Sequence, residues 1–299
     1  MIKKVSYFKD ENQRNAFFEK WVGQVESTSG SEHEMLNIAT SLGNTVVYSV
    51  ENTKPDAQTL VIFPGFRTSS LFWDFDNVLG PLKETCRIFL VETNGQPNLS
   101  DGNSPGIKGD GYGRWAAEVF EQLSIKRAII AGASFGGLVC LKLCLVASSL
   151  VEKVILLNPG CLQPFSMSLR NLYYNLLPIM SPSRKNIEKF LDKAVISNDH
   201  MLTNRSKELL IDFEEFVLTG YVDKTEKPYA MRADELTKIT NDVYLLVGDK
   251  DILFPYEKSL ATAQRHLLML RGTYVLPNTA HGIETSRKAM MIVRDIIGR

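Results

Sequence analysis

The sequence lacks an excess of charge of either sign. Its 299 residues include 34 Lys or Arg and 34 Asp or Glu, so the formal net charge is zero. Chains that bind nucleic acid or an anionic membrane through their surface field usually carry a basic excess. We therefore expect no nucleic-acid partner and no membrane partner.

Cysteine is scarce, and long apolar runs are absent. The cysteines Cys86, Cys140, Cys144 and Cys161 form no Cys-x-x-Cys pair, which favours buried free thiols over disulfides or a metal site. No run reaches the ~18 apolar residues of a membrane span. The opening residues MIKKVSYFKDENQRN contain no apolar segment of a secretory signal. Together these absences predict a cytoplasmic protein that holds no metal.

Short apolar runs, each closed by Gly, Pro, Asn or Asp, recur along the chain. They are QTLVIFPG, RIFLVETNG, RAIIAGAS, KVILLNPG, DVYLLVGDKD and GTYVLPN. Runs without polar alternation are typical of strands buried on both faces of a parallel sheet. Helical patterns at 112–124, 136–149, 255–270 and about 286–297 separate most of them, which predicts a mostly parallel, doubly wound α/β fold. Two further strand-like runs flank Gly43-Asn44, where we predict a hairpin turn.

The long interval between KVILLNPG and DVYLLVGDKD departs from this alternation of strands and helices. It contains the helical patterns SMSLRNLYYNLLPIM, SRKNIEKFLDKAV and RSKELLIDFEEFVLTG and no strong strand. We therefore predict a helical cap at 162–235, inserted into a core formed by 1–161 and 236–299. The core includes an N-terminal helix at about 9–26.

The stretch AIIAGASFGGL contains the pattern Gly-x-Ser-x-Gly around Ser134. Because it follows a predicted strand and precedes a predicted helix, it matches a nucleophile elbow, the sharp turn that exposes a reactive serine. A dinucleotide fingerprint would need glycine where Ser134 stands, and a phosphate loop would need Gly-Lys-Ser or Gly-Lys-Thr. A tight turn that merely tolerates serine is the remaining alternative.

A nucleophilic serine needs a histidine base and an acid that orients it, in the chain order Ser, acid, His for this kind of elbow. Of the four histidines, His33 precedes the core sheet, His200 lies in the predicted cap and His266 lies within a helical pattern. Only His281 follows the last predicted strand, at the carboxyl edge where open α/β sheets place their sites. His281 is therefore the candidate base.

The acid is expected after the preceding strand, in LLVGDKDILFP. Asp251 lies beyond the strand end and can turn back over the sheet, so we prefer it to Asp249, which suits a turn residue that caps its own backbone. The corresponding position after KVILLNPG holds Asn158, which is not an acid. For the oxyanion, the candidate donors are the backbone N–H of Phe135, after the serine, and that of Phe66 in VIFPGFRTSS.

Taken together, VIFPGF, VETNGQPNLS, AIIAGASFGG, GDKDILFP and NTAHG resemble the α/β-hydrolase superfamily, and within it the capped bacterial carboxylesterase-like serine hydrolases. The resemblance spans about 36–297. It implies an α/β-hydrolase fold, a triad of Ser134, Asp251 and His281, and no metal or organic cofactor. The sequence departs from the family pattern at Pro64-Gly65, where His-Gly is usual, at Ala133, where a polar residue is common, and at Ala280, where glycine is common.

This interpretation of the motifs predicts a serine hydrolase that cleaves a small carboxylic ester with an apolar acyl or alcohol group. The same triad also serves acyl transfer, perhydrolysis and the cleavage of thioesters, lactones or C–C bonds, and a non-catalytic ligand-binding relative is a further alternative. A homodimer is compatible with the sequence.

Candidate pocket residues lie in the predicted cap and after the oxyanion loop. Each aromatic candidate has packing into the core as its alternative, and the arginine has the alternative of a solvated surface residue. They are Arg67, Phe72, Trp73, Phe165, Tyr173 and Tyr174.

Overall fold

The computed structural model describes residues 4–50, 54 and 57–299. Its strands in chain order are β1 (Lys4–Val5), β2 (Tyr7–Phe8), β3 (Glu34–Thr40), β4 (Gly43–Val50), β5 (Gln58–Phe63), β6 (Cys86–Val91), β7 (Asn103–Ser104), β8 (Ala128–Ala133), β9 (Val151–Leu157), β10 (Tyr221–Val222), β11 (Asp242–Gly248) and β12 (Leu270–Leu276).

Helices fill most of the connections. They are α1 (Glu11–Ser29), α2 (Gly80–Lys83), α3 (Gly111–Gln122), α4 (Phe135–Ala147), α5 (Leu169–Met180), α6 (Arg184–Phe190), α7 (Asn204–Gly220), α8 (Ala233–Leu236), α9 (Tyr256–His266) and α10 (Arg287–Ile297). Short 3₁₀ segments cover Ser70–Asn77, Ser148–Leu150, Asn198–His200 and Ile283–Thr285, and a π-helical turn covers Leu191–Val195.

The central sheet has eight strands in the order β12-β11-β9-β8-β5-β6-β4-β3. All six predicted apolar runs form strands of this sheet, and they pair in parallel with one another. Only β4 runs against its neighbours β3 and β6. The predicted doubly wound α/β architecture is therefore confirmed.

Apolar side chains cover both faces of this sheet. On one face the core includes Trp21 of α1, Phe213 of α7 and Val293 of α10. On the other it includes Trp115 of α3 and Leu138 of α4. Burial on both faces explains why the strands are continuous apolar runs.

The N-terminal helix is shifted from its predicted bounds. It begins after Asp10, whose carboxylate accepts the N–H groups of Asn12 (2.9 Å) and Gln13 (3.0 Å). It continues beyond the predicted end at about 26, through Ser27, Thr28 and Ser29, and ends where Gly30 adopts φ 64°. A left-handed residue ends a helix more effectively than serine or threonine does.

The interval 162–235 contains α5, α6 and α7, as predicted, together with the short strand β10. This strand pairs antiparallel with β2, so Tyr221 lies opposite Phe8. The indole N–H of Trp21 donates to the carbonyl of Leu209 (2.9 Å), and Phe17 stacks on Phe216 at 4.0 Å between ring centroids. The N-terminal segment therefore packs on the proposed cap as well as on the sheet.

All four cysteines are buried free thiols, as the sequence predicted. In the described residues we find no helix that is both long and apolar enough to span a membrane.

Candidate active site

Ser134 lies between the end of β8 and the start of α4 in a strained backbone conformation. Its φ is 50° and its ψ is −112°, which non-glycine residues adopt rarely. Its N–H donates to Leu157 of β9 (2.9 Å), and its carbonyl accepts the N–H of Gly160 (3.0 Å). These bonds hold the turn against the end of the neighbouring strand.

The two glycines of the elbow allow close approach of the backbone. A Cβ at Gly136 would lie 2.0 Å from the carbonyl oxygen of Phe63, and a Cβ at Gly132 would lie 2.3 Å from the backbone of Gly136. Any side chain at either position would push α4 away from β5 or β8. The spacing Gly-x-Ser-x-Gly is therefore a packing requirement of this turn.

His281 and Asp251 are hydrogen-bonded at the same carboxyl edge of the sheet. The distance from His281 Nδ1 to Asp251 Oδ2 is 2.8 Å, and the Asp251 side chain is fully buried. The other carboxylate oxygen of Asp251 accepts the N–H groups of Leu253 (2.8 Å) and Phe254 (3.0 Å). The acid is thus fixed by its own loop and orients the ring of the histidine.

The electrostatic surroundings of His281 favour its charged form. Burial disfavours the imidazolium, but Asp251 and then Glu284 outweigh burial and raise the pKa of His281 above its ordinary 6.5. A base flanked by carboxylates in this way accepts a proton readily and stabilises the resulting charge.

The loop after β5 lies directly against the elbow. A Cβ at Gly65 would lie 3.6 Å from the Cβ of Ser134. Within the described residues, the N–H of Phe66 has no acceptor in the protein. Phe135 is the first residue of α4, where an N–H lacks an acceptor within the helix. The arrangement leaves two backbone donors available beside the serine.

Similarity to known proteins identifies the family of this chain. The family model described as "Alpha/beta hydrolase family" matches residues 60–289, which is most of the chain. The chain belongs to the alpha/beta hydrolase family.

Relatives of this alpha/beta hydrolase include two proteins of Bacillus subtilis (strain 168). This chain is 23% identical to "Uncharacterized carboxylesterase nap" over 82% of this chain and 79% of the relative. It is 26% identical to "Carboxylesterase YbfK" over 78% of this chain and 76% of the relative. The crystal structure of naproxen esterase from Bacillus subtilis has the same fold, with a TM-score of 0.80 and 21% identity over 96% of this chain and 97% of that one.

The candidate pocket residues of this hydrolase have different surroundings. Phe165 packs edge-on against Phe254 at 5.9 Å, and the Phe254 ring lies 5.5 Å from the His281 ring. Tyr174 packs on the same small apolar cluster as Phe254. Phe165 is thus linked to the histidine through Phe254, and Tyr174 lies against the same cluster.

The other aromatic candidates lie elsewhere. Phe72 and Trp73 are buried in the core, where Phe72 contacts Trp21 and Phe213, which is the core-packing alternative. Tyr173 is half-exposed on α5, and its hydroxyl accepts a hydrogen bond from Lys189 (3.0 Å). The structure does not bring these three residues together with the histidine.

Arg67 lies in the loop beside the elbow, in the left-handed conformation with φ 60°. The backbone N–H of Arg67 donates to the side-chain oxygen of Gln96 (2.7 Å), which ties this loop to the segment after β6. Burial raises the pKa of Glu214, on α7, to about 7, and the positive charge of Arg67 opposes this shift. The arginine therefore shares its surroundings with an acidic residue of the proposed cap.

A buried carboxylate is hydrogen-bonded to the far end of the loop after β5. Glu92, directly after β6, accepts the hydroxyl of Ser69 (2.5 Å) and the N–H of Ser70 (3.2 Å). Burial raises the pKa of Glu92 to about 7, although both serine hydrogen bonds lower it. Sequence reasoning missed Glu92, Phe254 and Glu284, because a side chain that acts through another residue carries no spacing signature.

Asn158, which is not an acid, makes side-chain hydrogen bonds to two neighbouring segments. Its amide Nδ2 donates to the carbonyls of Ala280 and His281, at 3.0 Å each, and its Oδ1 accepts the N–H of Gly248 (2.8 Å). Asn158 therefore ties the end of β11 to the loop that carries His281. In the sequence, the one feature that points to Asn158 is its position directly after a core strand.

Proposed function

We propose that this alpha/beta hydrolase is a serine carboxylesterase that hydrolyses a small ester with an apolar acyl or alcohol group. The observation that carries the proposal is the bond between His281 and Asp251, located at the sheet edge where Ser134 is held in a strained turn. Similarity to carboxylesterases of Bacillus subtilis supports the same reaction class.

In the proposed reaction, Ser134 Oγ attacks the ester carbonyl carbon while His281 Nε2 takes the hydroxyl proton. Asp251 orients His281 and stabilises the imidazolium. The N–H groups of Phe66 and Phe135 bind the oxyanion, and one such donor contributes about 3 kcal/mol of transition-state stabilisation.

The tetrahedral intermediate then collapses and releases the alcohol, which receives the proton from His281. A water molecule, deprotonated by His281, attacks the acyl-enzyme and releases the carboxylic acid. No cofactor enters this scheme. Phe165, Tyr174 and Phe254 supply the apolar surroundings that favour an apolar substrate group.

Covalent labelling tests the assignment of the nucleophile. A fluorophosphonate probe should modify the native protein at Ser134, with loss of fluoride, and should not modify the Ser134→Ala variant. Ser148→Ala, at the far end of α4, is the matched control and should label normally. Equal labelling of native protein and Ser134→Ala would overturn the proposal.

A substrate panel tests the reaction subtype. We expect hydrolysis of p-nitrophenyl esters to exceed that of lactones and thioesters, and to disappear in Ser134→Ala. Lack of turnover of all esters, with labelling at Ser134 retained, would favour one of the other acyl-transfer reactions that this fold supports.

A further inference from the structure

The loop that carries His281 is held by the interval 162–235 as well as by the sheet. The π-helical turn supplies two acceptors: Ala194 accepts the N–H of His281 (3.4 Å), and Val195 accepts the N–H of Gly282 (2.8 Å). From the following segment, the hydroxyl of Ser197 donates to the carbonyl of Asn278. The backbone on both sides of the proposed base is therefore bonded to the proposed cap.

His200, in the 3₁₀ turn of the same segment, contributes a buried side chain to the contact between the proposed cap and the His281 loop. Its side chain bonds two parts of the loop: Nε2 accepts the N–H of Ala280 (3.2 Å), and Nδ1 lies 2.9 Å from the hydroxyl of Thr285. The residue is 2% exposed. One imidazole thus spans the loop from the residue before His281 to the end of the turn after it.

The hydrogen-bond network defines the tautomer of His200. The hydroxyl of Thr285 donates its proton to the carbonyl of Gly282 (2.9 Å), so Thr285 Oγ1 accepts from His200 Nδ1–H. The other nitrogen, Nε2, is then unprotonated and accepts from Ala280. The bond from the N–H of Ala280 requires the neutral ring, because a protonated Nε2 cannot accept.

We propose that His200 is a positioning residue that holds the His281 loop in place for catalysis through its bond to the N–H of Ala280. The inference rests on the proposed function, in which His281 is the base. It assigns the interval 162–235 a part in the chemistry, in addition to covering the site.

The surroundings keep the His200 ring neutral at the pH where such an enzyme works. Burial lowers the pKa of His200 to about 4, and the nearby carboxylate of Asp199 only partly opposes the shift. A protonated ring would direct an N–H at the N–H of Ala280 and break the contact. The low pKa therefore supports the geometric assignment.

Three substitutions separate the two bonds of His200. Because the amide oxygen of glutamine reaches about as far as Nε2, His200→Gln keeps the acceptor for Ala280. The shorter His200→Asn keeps only a donor near Thr285, and His200→Phe keeps the ring shape and neither bond. His266→Gln, at the end of α9, is the control for replacing a histidine elsewhere.

The first measurement is kcat and KM for p-nitrophenyl butyrate, corrected for the folded fraction. We expect kcat to fall about 10- to 100-fold in His200→Phe and His200→Asn with little change in KM, because a displacement of about 1 Å costs a rate factor of this size. We expect His200→Gln to recover to within about threefold of the native enzyme. Equal losses in the glutamine and asparagine variants, or unchanged kcat in the phenylalanine variant, would overturn the proposal.

The second measurement does not depend on turnover. The proton between His281 and Asp251 should give a downfield ¹H resonance, to be assigned by its loss in His281→Gln. We expect the resonance to persist in His200→Gln and to broaden or shift in His200→Phe, and an unaltered resonance in His200→Phe would count against positioning. If the native protein shows no turnover that depends on Ser134, the proposed function fails, while this resonance still tests the role of His200.

Discussion

Replacing Asn158 with alanine tests whether the sheet itself anchors the proposed base. The substitution removes three hydrogen bonds, two to the carbonyls of Ala280 and His281 and one from the N–H of Gly248. It leaves the main chain of β9 intact, so its effects should arise at the loop. We expect both the stability and the reaction rate to fall.

The size of the stability effect follows from these contacts. A buried hydrogen bond contributes about 1 kcal/mol net, so three bonds contribute about 3 kcal/mol. Asn158 also has φ 41°, a left-handed conformation that costs alanine about 1 kcal/mol. The free energy of unfolding of Asn158→Ala should therefore be about 4 kcal/mol lower than that of the native protein.

The assay is urea unfolding followed by circular dichroism, together with ester hydrolysis in the absence of urea. Asn241→Ala is the matched control, because the Asn241 amide donates to two carbonyls, those of Ser148 (2.8 Å) and Val151 (2.9 Å), near the amino ends of β9 and β11. The control should lose about 2 kcal/mol of stability and keep its kcat. Asn158→Ala should in addition lose kcat by about 10-fold or more, because the histidine is displaced.

Two results would refute this reasoning. A stability loss below about 1 kcal/mol would mean that the three contacts of Asn158 contribute little net free energy. A kcat equal to that of Asn241→Ala would mean that the position of His281 does not depend on the asparagine.

Two further predictions concern charge and close packing. Because the carboxylate of Glu284 helps to raise the pKa of His281, Glu284→Gln should lower that pKa and move the acid limb of kcat/KM to lower pH. The surface variant Glu257→Gln should leave the acid limb in place. An unmoved limb in Glu284→Gln would contradict the assignment of His281 as the base. Gly136→Ala should lose about 1–3 kcal/mol of unfolding free energy and most of its fluorophosphonate labelling, because the new Cβ would lie 2.0 Å from a backbone carbonyl oxygen of β5. Gly23→Ala, with nothing within 4 Å of its Cβ, should instead gain about 0.5–1 kcal/mol, and equal unfolding curves for the two glycine variants would count against the packing argument.

The strands of the core were predictable because burial on both faces leaves a continuous apolar signature in each one. Turn positions carried less information. The hairpin predicted at Gly43-Asn44 has its turn at Ser41-Leu42 instead, since Thr40 pairs with Gly43. Gly43 has φ 103°, a backbone conformation that favours glycine, and a Cβ there would also lie 2.2 Å from the carboxylate of Asp101. A single sequence does not show such long-range contacts.

The residues of the candidate site also fall into two groups, those that the sequence predicts and those that it does not. Ser134, Asp251 and His281 were predicted as a set because each follows a core strand, and the chain order of the three roles is constrained by the fold. Asn158 and His200 act through the backbone of the loop around His281 and contact it across long stretches of sequence. Their roles depend on tertiary geometry and have no local pattern to reveal them.

The pairing of β2 with β10 has a consequence for synthesis on the ribosome. The ammonium of Lys9 donates to the carbonyl of Thr219, across 210 residues of sequence. At 5–20 residues per second, the N-terminal helix emerges roughly 10 to 40 s before its partners. During that interval, Phe8, Phe17 and Trp21 have no α7 to cover them. The nascent chain therefore exposes an aromatic segment that α7 covers in the finished protein.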